Sequence, residues 1–230
     1  MRHDITLCLT IGLRPDLLAQ TLESLGRWHR FEHVMAINDF RDEATNQMFQ
    51  RLCPHGQLIC LDARVGHHKA VDAMYAQVQT PYVLHCEDDW GFDRAIDIDG
   101  AIDVLNTHAH FSQVCLRKLS DFGMTQADEA KIPRQQHGAL TLARQDGLHP
   151  QWHGYTFNPH IAPLALWRSL GGFAGFNKER HISRTLRAQG RVTAYLEPGA
   201  CAHLGDAQSV SMGGNKPSLV QRLREAIRRA

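Results

Sequence analysis

Four short apolar runs alternate with segments of helical periodicity in the first half of the chain, and this alternation restricts the fold more than any other feature. Continuous apolar character, as in ITLCLTI, is typical of strands that are buried on both faces. Short links between strands and helices favour parallel pairing. We therefore expect a single α/β domain with a mostly parallel central sheet flanked by helices. The four predicted strands lie at 5–11, 33–37, 57–61 and 81–86.

The second half of the chain is less regular, and the polar stretch 118–153 is predicted as a long loop region with one hairpin. No repeat or linker divides the sequence, so we predict one domain over 1–216 and a basic amphipathic helix over 217–230. Pro15 opens another predicted helix. The remaining predicted helices lie at 67–79, 94–106, 164–170 and 178–189, and the remaining strands at 112–117, within 154–163 near Gly-Tyr-Thr-Phe-Asn, and at 191–196.

Composition excludes several classes of protein. A chain of 230 residues with 43% hydrophobic residues is typical of a globular domain with its own core. A formal net charge of +1 gives no general attraction to nucleic acid. No apolar run approaches the roughly 20 residues of a membrane span, and the N-terminus shows no secretory signal. We expect a cytoplasmic protein without a nucleic-acid partner.

Polar residues follow each of the first four predicted strands. They are Arg14, Asp39, the segment Gly66 to Lys69, and the triplet Glu87-Asp88-Asp89. Because the carboxyl ends of parallel strands meet at one edge of a sheet, these residues are predicted to form one pocket.

The acidic triplet is the most informative motif. Three carboxylates directly after a buried strand repel one another, and a hard divalent cation such as Mn²⁺ or Mg²⁺ would compensate them. The alternative is an acidic turn in solvent. Trp90 follows the triplet, either as a wall for a sugar ring or as a core residue.

The order of these motifs resembles that of GT-A fold glycosyltransferases, and most closely the family-2-type superfamily. The resemblance rests on ITLCLTIGLRPDLLAQTLESL, VMAINDF, GHHKAVDAMYAQ, PYVLHCEDDW, GGF and an acid before RTLRAQG. The EDD triplet is similar to the metal motif of GT-A N-acetylglucosaminyltransferases. The resemblance implies a metal-dependent enzyme, of hexosyl- or N-acetylhexosaminyltransferase type. It would move a sugar from a nucleoside-diphosphate sugar, with a UDP-sugar favoured, to a hydroxyl of a glycan or lipid-linked acceptor.

The resemblance also implies roles for the residues at the strand ends. Thr10 and Arg14 would contact the nucleotide, and Asp39 would accept a hydrogen bond from the base. Gly66 to Lys69 would approach the nucleotide, with Lys69 as a cation beside the diphosphate. The alternatives are an ion pair with Asp16 or a surface role for Arg14, a turn or cap role for Asp39, and a solvated helix position for Lys69.

Within the triplet, the resemblance assigns Asp89 as the direct metal ligand. Glu87 and Asp88 would contact the ribose or metal-bound water. His203, in the sequence Ala-His-Leu-Gly, would reach the metal or the diphosphate, although a lone histidine is more often structural.

Glu179 is the candidate general base of an inverting transfer, in which one carboxylate takes the proton of the acceptor hydroxyl. Many relatives have Glu-Asp at this position, with the second acid catalytic, whereas this chain has Glu179-Arg180. The alternative is a first-turn acid stabilised by the helix dipole, with Asn177 as the N-cap.

The sequence leaves two interpretations open for the C-terminal segment. The 217–230 helix would either dock on the domain or lie on an anionic membrane surface at the inner face of the membrane. Residues 205–216 would form a lid or an ordinary connection.

We expect a glycosyltransferase of bacterial surface glycan synthesis. The alternatives are a non-catalytic sugar-nucleotide-binding protein and a metal-dependent phosphohydrolase. A nucleotidyltransferase is disfavoured because no Gly-rich basic loop follows the first strand.

Overall fold

A computed structural model describes residues 4–204 of the chain. The strands in this part are β1 (Ile5–Ile11), β2 (His33–Asn38), β3 (Gln57–Cys60), β4 (Tyr82–Glu87), β5 (Trp90–Phe92), β6 (Phe111–Cys115), β7 (Arg134–His137), β8 (Leu140–Ala143), β9 (His160–Pro163), β10 (Val192–Glu197) and β11 (Cys201–His203). The helices are α1 (Pro15–Gly26), α2 (Glu43–Leu52), α3 (His67–Tyr75), α4 (Ile98–Thr107), α5 (Gln126–Glu129), α6 (Leu164–Ser169) and α7 (Glu179–Ala188).

The first four strands form the parallel part of a nine-stranded sheet. Its order is β3-β2-β1-β4-β9-β6-β10-β8-β7, and the pairs from β3 to β4 are all parallel. Strand β1 has the predicted bounds and is buried on both faces. Its side chains at Leu7 and Leu9 pack with α1, α2 and α4 on one face, and Cys8 packs with α3, α6 and α7 on the other. The predicted α/β sheet flanked by helices is confirmed.

The other part of the sheet is mixed. Strand β9 runs antiparallel to both β4 and β6, β10 is parallel to β6, and the β7–β8 hairpin adds antiparallel strands at the edge. The predicted loop region 118–153 contains this hairpin, α5 and two short 3₁₀ turns. The second half thus extends the sheet further than its sequence pattern indicated.

A strand is present within the predicted range 154–163, but β9 covers only its last four residues, and the Gly-Tyr-Thr-Phe-Asn segment before it is not a strand. The carbonyls of Gly154 and Thr156 accept hydrogen bonds from the side chains of Ser112 and Gln113 at 2.6 and 3.1 Å. Side chains therefore satisfy backbone groups that a neighbouring strand would otherwise pair.

A second, two-stranded sheet pairs β11 with β5 in antiparallel register. It places His203 opposite Trp90, directly beside the acidic triplet. The predicted 205–216 lid, the 217–230 helix and the domain boundary between them lie outside the described residues. No helix within 4–204 has the length and apolar character needed to span a bilayer.

Candidate active site

Polar side chains gather around one cavity of about 570 Å³ at the carboxyl ends of β1, β2 and β4. This is the edge at which open α/β sheets bind ligands. The start of α3, the segment before β9, the start of α7 and the end of β11 complete its walls. Of the predicted site residues, those that line the cavity are Thr10, Arg14, Asp39, Gly66, Glu87, Asp88, Asp89, Glu179 and His203.

Two of the predicted site residues do not line this cavity. Lys69 is exposed on α3, in the position of a solvated helix residue. Trp90 keeps only 1% of its surface exposed and packs in the core, with its ring centroid 5.0 Å from that of His203. The structure therefore does not bring Lys69 or Trp90 to the site as nucleotide or sugar contacts.

Arg14 lies between the two aspartates of the triplet. Its Nη1 donates to Oδ2 of Asp89 at 2.5 Å, and its Nη2 donates to Oδ1 of Asp88. The backbone N–H of Gly12 donates to Oδ2 of Asp88 at 2.9 Å. Burial raises the pKa of the Asp88 carboxyl to about 6, and Arg14 opposes this shift. Part of the positive charge that the triplet requires is thus supplied by the chain itself.

Gly12 allows the end of β1 to approach Phe40 closely. A Cβ atom at residue 12 would lie 2.3 Å from Cδ2 of Phe40, which is too close for any real contact. A larger residue would displace either Phe40 or the backbone N–H that holds Asp88.

Asp39 organises the loop between β3 and α3. Its Oδ1 accepts from the backbone N–H of Val65 at 2.7 Å, and its Oδ2 accepts from that of Gly66 at 2.8 Å. The Arg64 guanidinium lies 4.1 Å from the centroid of the Phe40 ring, over the same part of the cavity. Both carboxylate oxygens of Asp39 are therefore already engaged in fixing the loop that forms one wall.

His203 reaches the triplet from the small sheet. Its Nε2 lies 3.1 Å from Oδ2 of Asp89, and the backbone N–H of Leu204 donates to the carbonyl of Asp89 at 2.8 Å. The other carboxylate oxygen of Asp89, Oδ1, is buried without a hydrogen-bond partner. An unsatisfied buried carboxylate oxygen is costly, and a cation would satisfy it.

The donor set at this end of the cavity fits a divalent metal that is completed by its substrate. Asp89 offers the unsatisfied Oδ1, and His203 offers a ring nitrogen beside it. Between residues 4 and 204, no group of three or more His, Cys, Asp or Glu side chains forms a ready metal cage. Mn²⁺ or Mg²⁺ held by one or two protein ligands takes its other ligands from phosphates and water.

The pKa of Glu87 reflects how densely carboxyl groups are packed at this end of the cavity. Burial and the neighbouring carboxylates Asp89, Glu179 and Asp88 raise the pKa of Glu87 to about 8. Carboxylates that raise one another's pKa values are stabilised by a nearby cation. The raised pKa of Glu87 is therefore consistent with a divalent metal at this end of the cavity.

Glu179 is the first residue of α7 and faces the cavity from the wall that β9 and α7 support. The residue keeps exposed surface toward the cavity. Its Oε2 accepts from the backbone N–H of Phe157 at 3.2 Å. The surrounding protein nevertheless raises the pKa of the carboxyl through desolvation. The N-cap of α7 is Lys178 rather than the predicted Asn177, and its side chain makes no cap hydrogen bond.

Asp72 supports the site and was missed by the sequence analysis. Its Oδ1 accepts from Nε1 of Trp167 at 2.6 Å and from the backbone N–H of Phe173 at 2.7 Å, and its Oδ2 accepts from that of Ala174 at 2.7 Å. The Gly171-Gly172-Phe173 turn, which leads to Glu179, is thereby tied to α3. An acid in the middle of a helix gives no sequence signal for such a role.

Comparison with known proteins identifies the fold. No protein-family model matches the sequence, and no curated protein sequence matches it. Among solved structures, the chain is similar to the mannosyltransferase PcManGT from Pyrobaculum calidifontis, in complex with GDP-Man and Mn²⁺. The TM-score is 0.66 at 14% identity, over 99% of this chain and 65% of that one.

Two further solved structures give the same result. TarS of S. aureus, residues 1–349, matches with a TM-score of 0.59 at 12% identity over 87% of this chain and 60% of its own. GalNAc-T7 with UDP, GalNAc and Mn²⁺ matches with a TM-score of 0.60 at 9% identity, over 86% of this chain and 43% of its own. The chain thus has the fold of GT-A glycosyltransferases and spans less than two thirds of the length of these neighbours.

Proposed function

We propose that the chain is a metal-dependent glycosyltransferase that moves a sugar from a nucleoside-diphosphate sugar to an acceptor hydroxyl, with inversion. One observation carries this proposal: the carboxylates after β4, His203 and Glu179 all line the same cavity. Such a transfer needs a cation-binding end for the leaving diphosphate and a base for the acceptor. A volume of about 570 Å³ is in the range of small-molecule sites.

Asp89 and His203 would hold the metal, which supplies Lewis-acid neutralisation of the diphosphate when bound. Arg14 places a fixed positive charge against the same carboxylates. Thr10, Asp39 and Gly66 would line the nucleotide, and Glu87 or Asp88 would contact the ribose or metal-bound water. The acidic groups thus serve the donor at one end of the cavity.

Glu179 would take the proton from the acceptor hydroxyl. A base works best when its pKa lies near the working pH, and desolvation moves the pKa of Glu179 upward in that direction. The Phe157 N–H fixes one of its oxygens. This arrangement supports a role for Glu179 itself, although Arg180 stands where many relatives have the catalytic acid.

The donor and acceptor are also part of the proposal. The neighbours contain GDP-Man in one case and UDP in another, and the resemblance of the sequence favours a UDP-sugar of hexosyl or N-acetylhexosaminyl type. The acceptor would be a glycan or a lipid-linked glycan of a bacterial surface.

Thermal unfolding with a panel of nucleotides tests the donor site. UDP, GDP, several UDP-sugars and GDP-mannose are compared with and without Mn²⁺ or Mg²⁺. A ligand that binds the folded state raises the midpoint by mass action. We expect one nucleotide series to raise it only with metal, and Asp89→Asn to abolish this rise. Asp62→Asn, in the exposed loop after β3, is the matched control and should keep it.

The possible outcomes separate the competing functions. No midpoint shift with any nucleotide in the presence of metal overturns the proposal. A midpoint shift without sugar transfer to any glycan acceptor and without release of nucleoside diphosphate indicates a sugar-nucleotide-binding protein. Cleavage of the phosphate linkage without sugar transfer indicates a phosphohydrolase.

A further inference from the structure

Glu179 lines a second, smaller cavity as well. This cavity has a volume of about 180 Å³ and shares Glu179 and Asn158 with the larger one. The candidate base therefore stands at the junction of two spaces, of which the larger is the proposed donor site. A reactant in the smaller cavity would meet the donor beside Glu179.

The lining of the smaller cavity combines aromatic and polar side chains. Tyr155 and Tyr195 are buried, and Phe122 packs edge-on against Tyr195 with ring centroids 5.6 Å apart. Its polar lining residues are His153, Thr156, Asn158, Arg180 and Ser183. Aromatic side chains together with several polar groups fit a small ring that carries hydroxyls.

Trp152 stands at this cavity with 50% of its surface exposed. A large aromatic side chain that stays exposed forgoes the burial it would have in a core. The His149 ring stacks on it at 4.2 Å between centroids with an interplanar angle of 18°. The stacked His149 ring therefore helps to fix the orientation of the exposed indole.

The backbone around Trp152 is held by α7. Nη1 of Arg187 donates to the carbonyl of Trp152 at 2.7 Å, and Oγ of Ser183 donates to the carbonyl of Gln151 at 3.1 Å. The backbone N–H of Gly154 donates to Oγ of Ser183 at 2.9 Å. The same helix begins with Glu179, so the backbone that carries the indole is attached to the helix that carries the candidate base.

We propose that Trp152 is the stacking platform of an acceptor subsite in the smaller cavity, and that this subsite takes a single pyranose ring whose hydroxyl points to Glu179. The proposal rests on the proposed function and deepens it by assigning the acceptor sugar to a defined subsite with a named aromatic contact. A pyranose presents C–H groups on its face and hydroxyls at its edge. The face of the ring suits the indole, and its hydroxyls suit the polar lining residues.

Binding of simple glycosides tests the subsite without turnover. The probes are methyl glycosides of glucose, galactose, mannose, N-acetylglucosamine and N-acetylgalactosamine, measured by ligand-observed NMR with and without UDP and Mn²⁺. We expect at least one probe to bind the wild type and to bind Trp152→Ala at least about tenfold more weakly, whereas Trp152→Phe should be intermediate. Trp28→Ala is the matched control, because Trp28 is also exposed, at 45%, and lines neither cavity.

A second measurement uses the wild-type protein and follows the NMR signal of Trp152. The indole N–H resonance of Trp152, assigned by its absence in Trp152→Phe, should shift when the bound glycoside is added. If no glycoside binds, or if binding is equal in Trp152→Ala and Trp28→Ala, the subsite is overturned. A nucleotide-dependent midpoint shift in that case leaves the proposed function standing. If sugar binding depends on Trp152 but no nucleotide raises the thermal midpoint, the subsite stands and the glycosyltransferase proposal is overturned.

Discussion

Asp72 accepts a hydrogen bond from the backbone N–H of Phe173 at 2.7 Å, across 101 residues of sequence. Gly172, at φ +87°, comes so close that an added Cβ would lie 2.8 Å from Oδ2 of Asp72. A side chain at residue 172 would therefore collide with the Asp72 carboxylate, and only glycine leaves room for it. Through this contact α3, whose first turn lines the larger cavity, sets the path of the chain toward Glu179.

Replacing Asp72 with Asn should weaken this connection. The amide keeps one acceptor oxygen and puts an NH₂ group where the other oxygen was, so at least one N–H donor loses its partner. We expect a loss of about 1–3 kcal/mol in the free energy of unfolding, measured by urea denaturation. The exposed-loop variant Asp62→Asn should stay within about 0.5 kcal/mol of wild type. Equal stability of both variants would contradict the role of Asp72.

Replacing Glu179 with Gln should abolish transfer while the protein still folds. Gln keeps the shape of the side chain and an acceptor for the Phe157 N–H, but it cannot take a proton. Loss of a general base costs about 10²–10⁴-fold in rate. Transfer is measured with the donor found in the nucleotide panel, and the nucleotide midpoint shift should persist.

Glu23→Gln on the exposed side of α1 is the matched control for this change. It should transfer at the wild-type rate. Substantial transfer by Glu179→Gln would remove Glu179 as the base.

Replacing His203 with Ala should raise the metal concentration needed for nucleotide binding. The imidazole lies 3.1 Å from the Asp89 carboxylate, so its loss removes either a ligand or a group that orients one. Changes of this kind cost about 10–100-fold in metal affinity. A titration of Mn²⁺ against the nucleotide midpoint shift measures the change. His33→Ala, exposed on β2, should leave the titration unchanged, and an unchanged titration in His203→Ala would exclude the metal role.

Two stacked histidines should make the fold sensitive to acid. His85 and His160 are fully buried, with ring centroids 5.3 Å apart, and burial lowers the pKa of His160 to about 4. The folded state thus keeps His160 neutral, while the unfolded chain takes up a proton below its usual pKa of about 6.5. Between these values the free energy of unfolding falls as the pH falls, by up to about 3 kcal/mol for this group.

The pH dependence of urea denaturation between pH 4 and about 6.5 measures this effect. His160→Asn should show a shallower slope than the wild type, whereas His33→Asn on the protein surface should keep the wild-type slope. A wild-type slope in His160→Asn would show that His160 does not carry the effect.

The parallel half of the sheet was predictable because its signals are local. The run at 5–11 became β1 without a shift of bounds, and helix α1 starts at the predicted Pro15. The predicted helix over 67–79 ends earlier, at Tyr75. The segment near Tyr155 and Phe157 failed because its aromatic residues enter the core without forming a strand. The sequence pattern does not reveal that the side chains of Ser112 and Gln113 bond the carbonyls of this segment in place of a neighbouring strand.

The site was predictable where a strand end carries an unusual residue. Asp39 and the acidic triplet lie at such positions and line the cavity. Glu179 also lines it, but it begins α7 and was predicted from the resemblance. Contacts between distant segments gave no signal. Arg14 reaches the triplet across about 75 residues, and the arrangement of Trp152 with α7 depends on backbone carbonyls that no residue pattern encodes.

The antiparallel pairing of β11 with β5 has a consequence for how the protein matures. It joins His203 to Asp89 across 114 positions, so the two halves of the proposed metal site exist together only after the last described strand has docked. During synthesis the triplet leaves the ribosome long before its histidine partner. An intermediate that lacks the docked β11 has the carboxylates but not the imidazole. Metal affinity would therefore report completion of folding as well as readiness for chemistry.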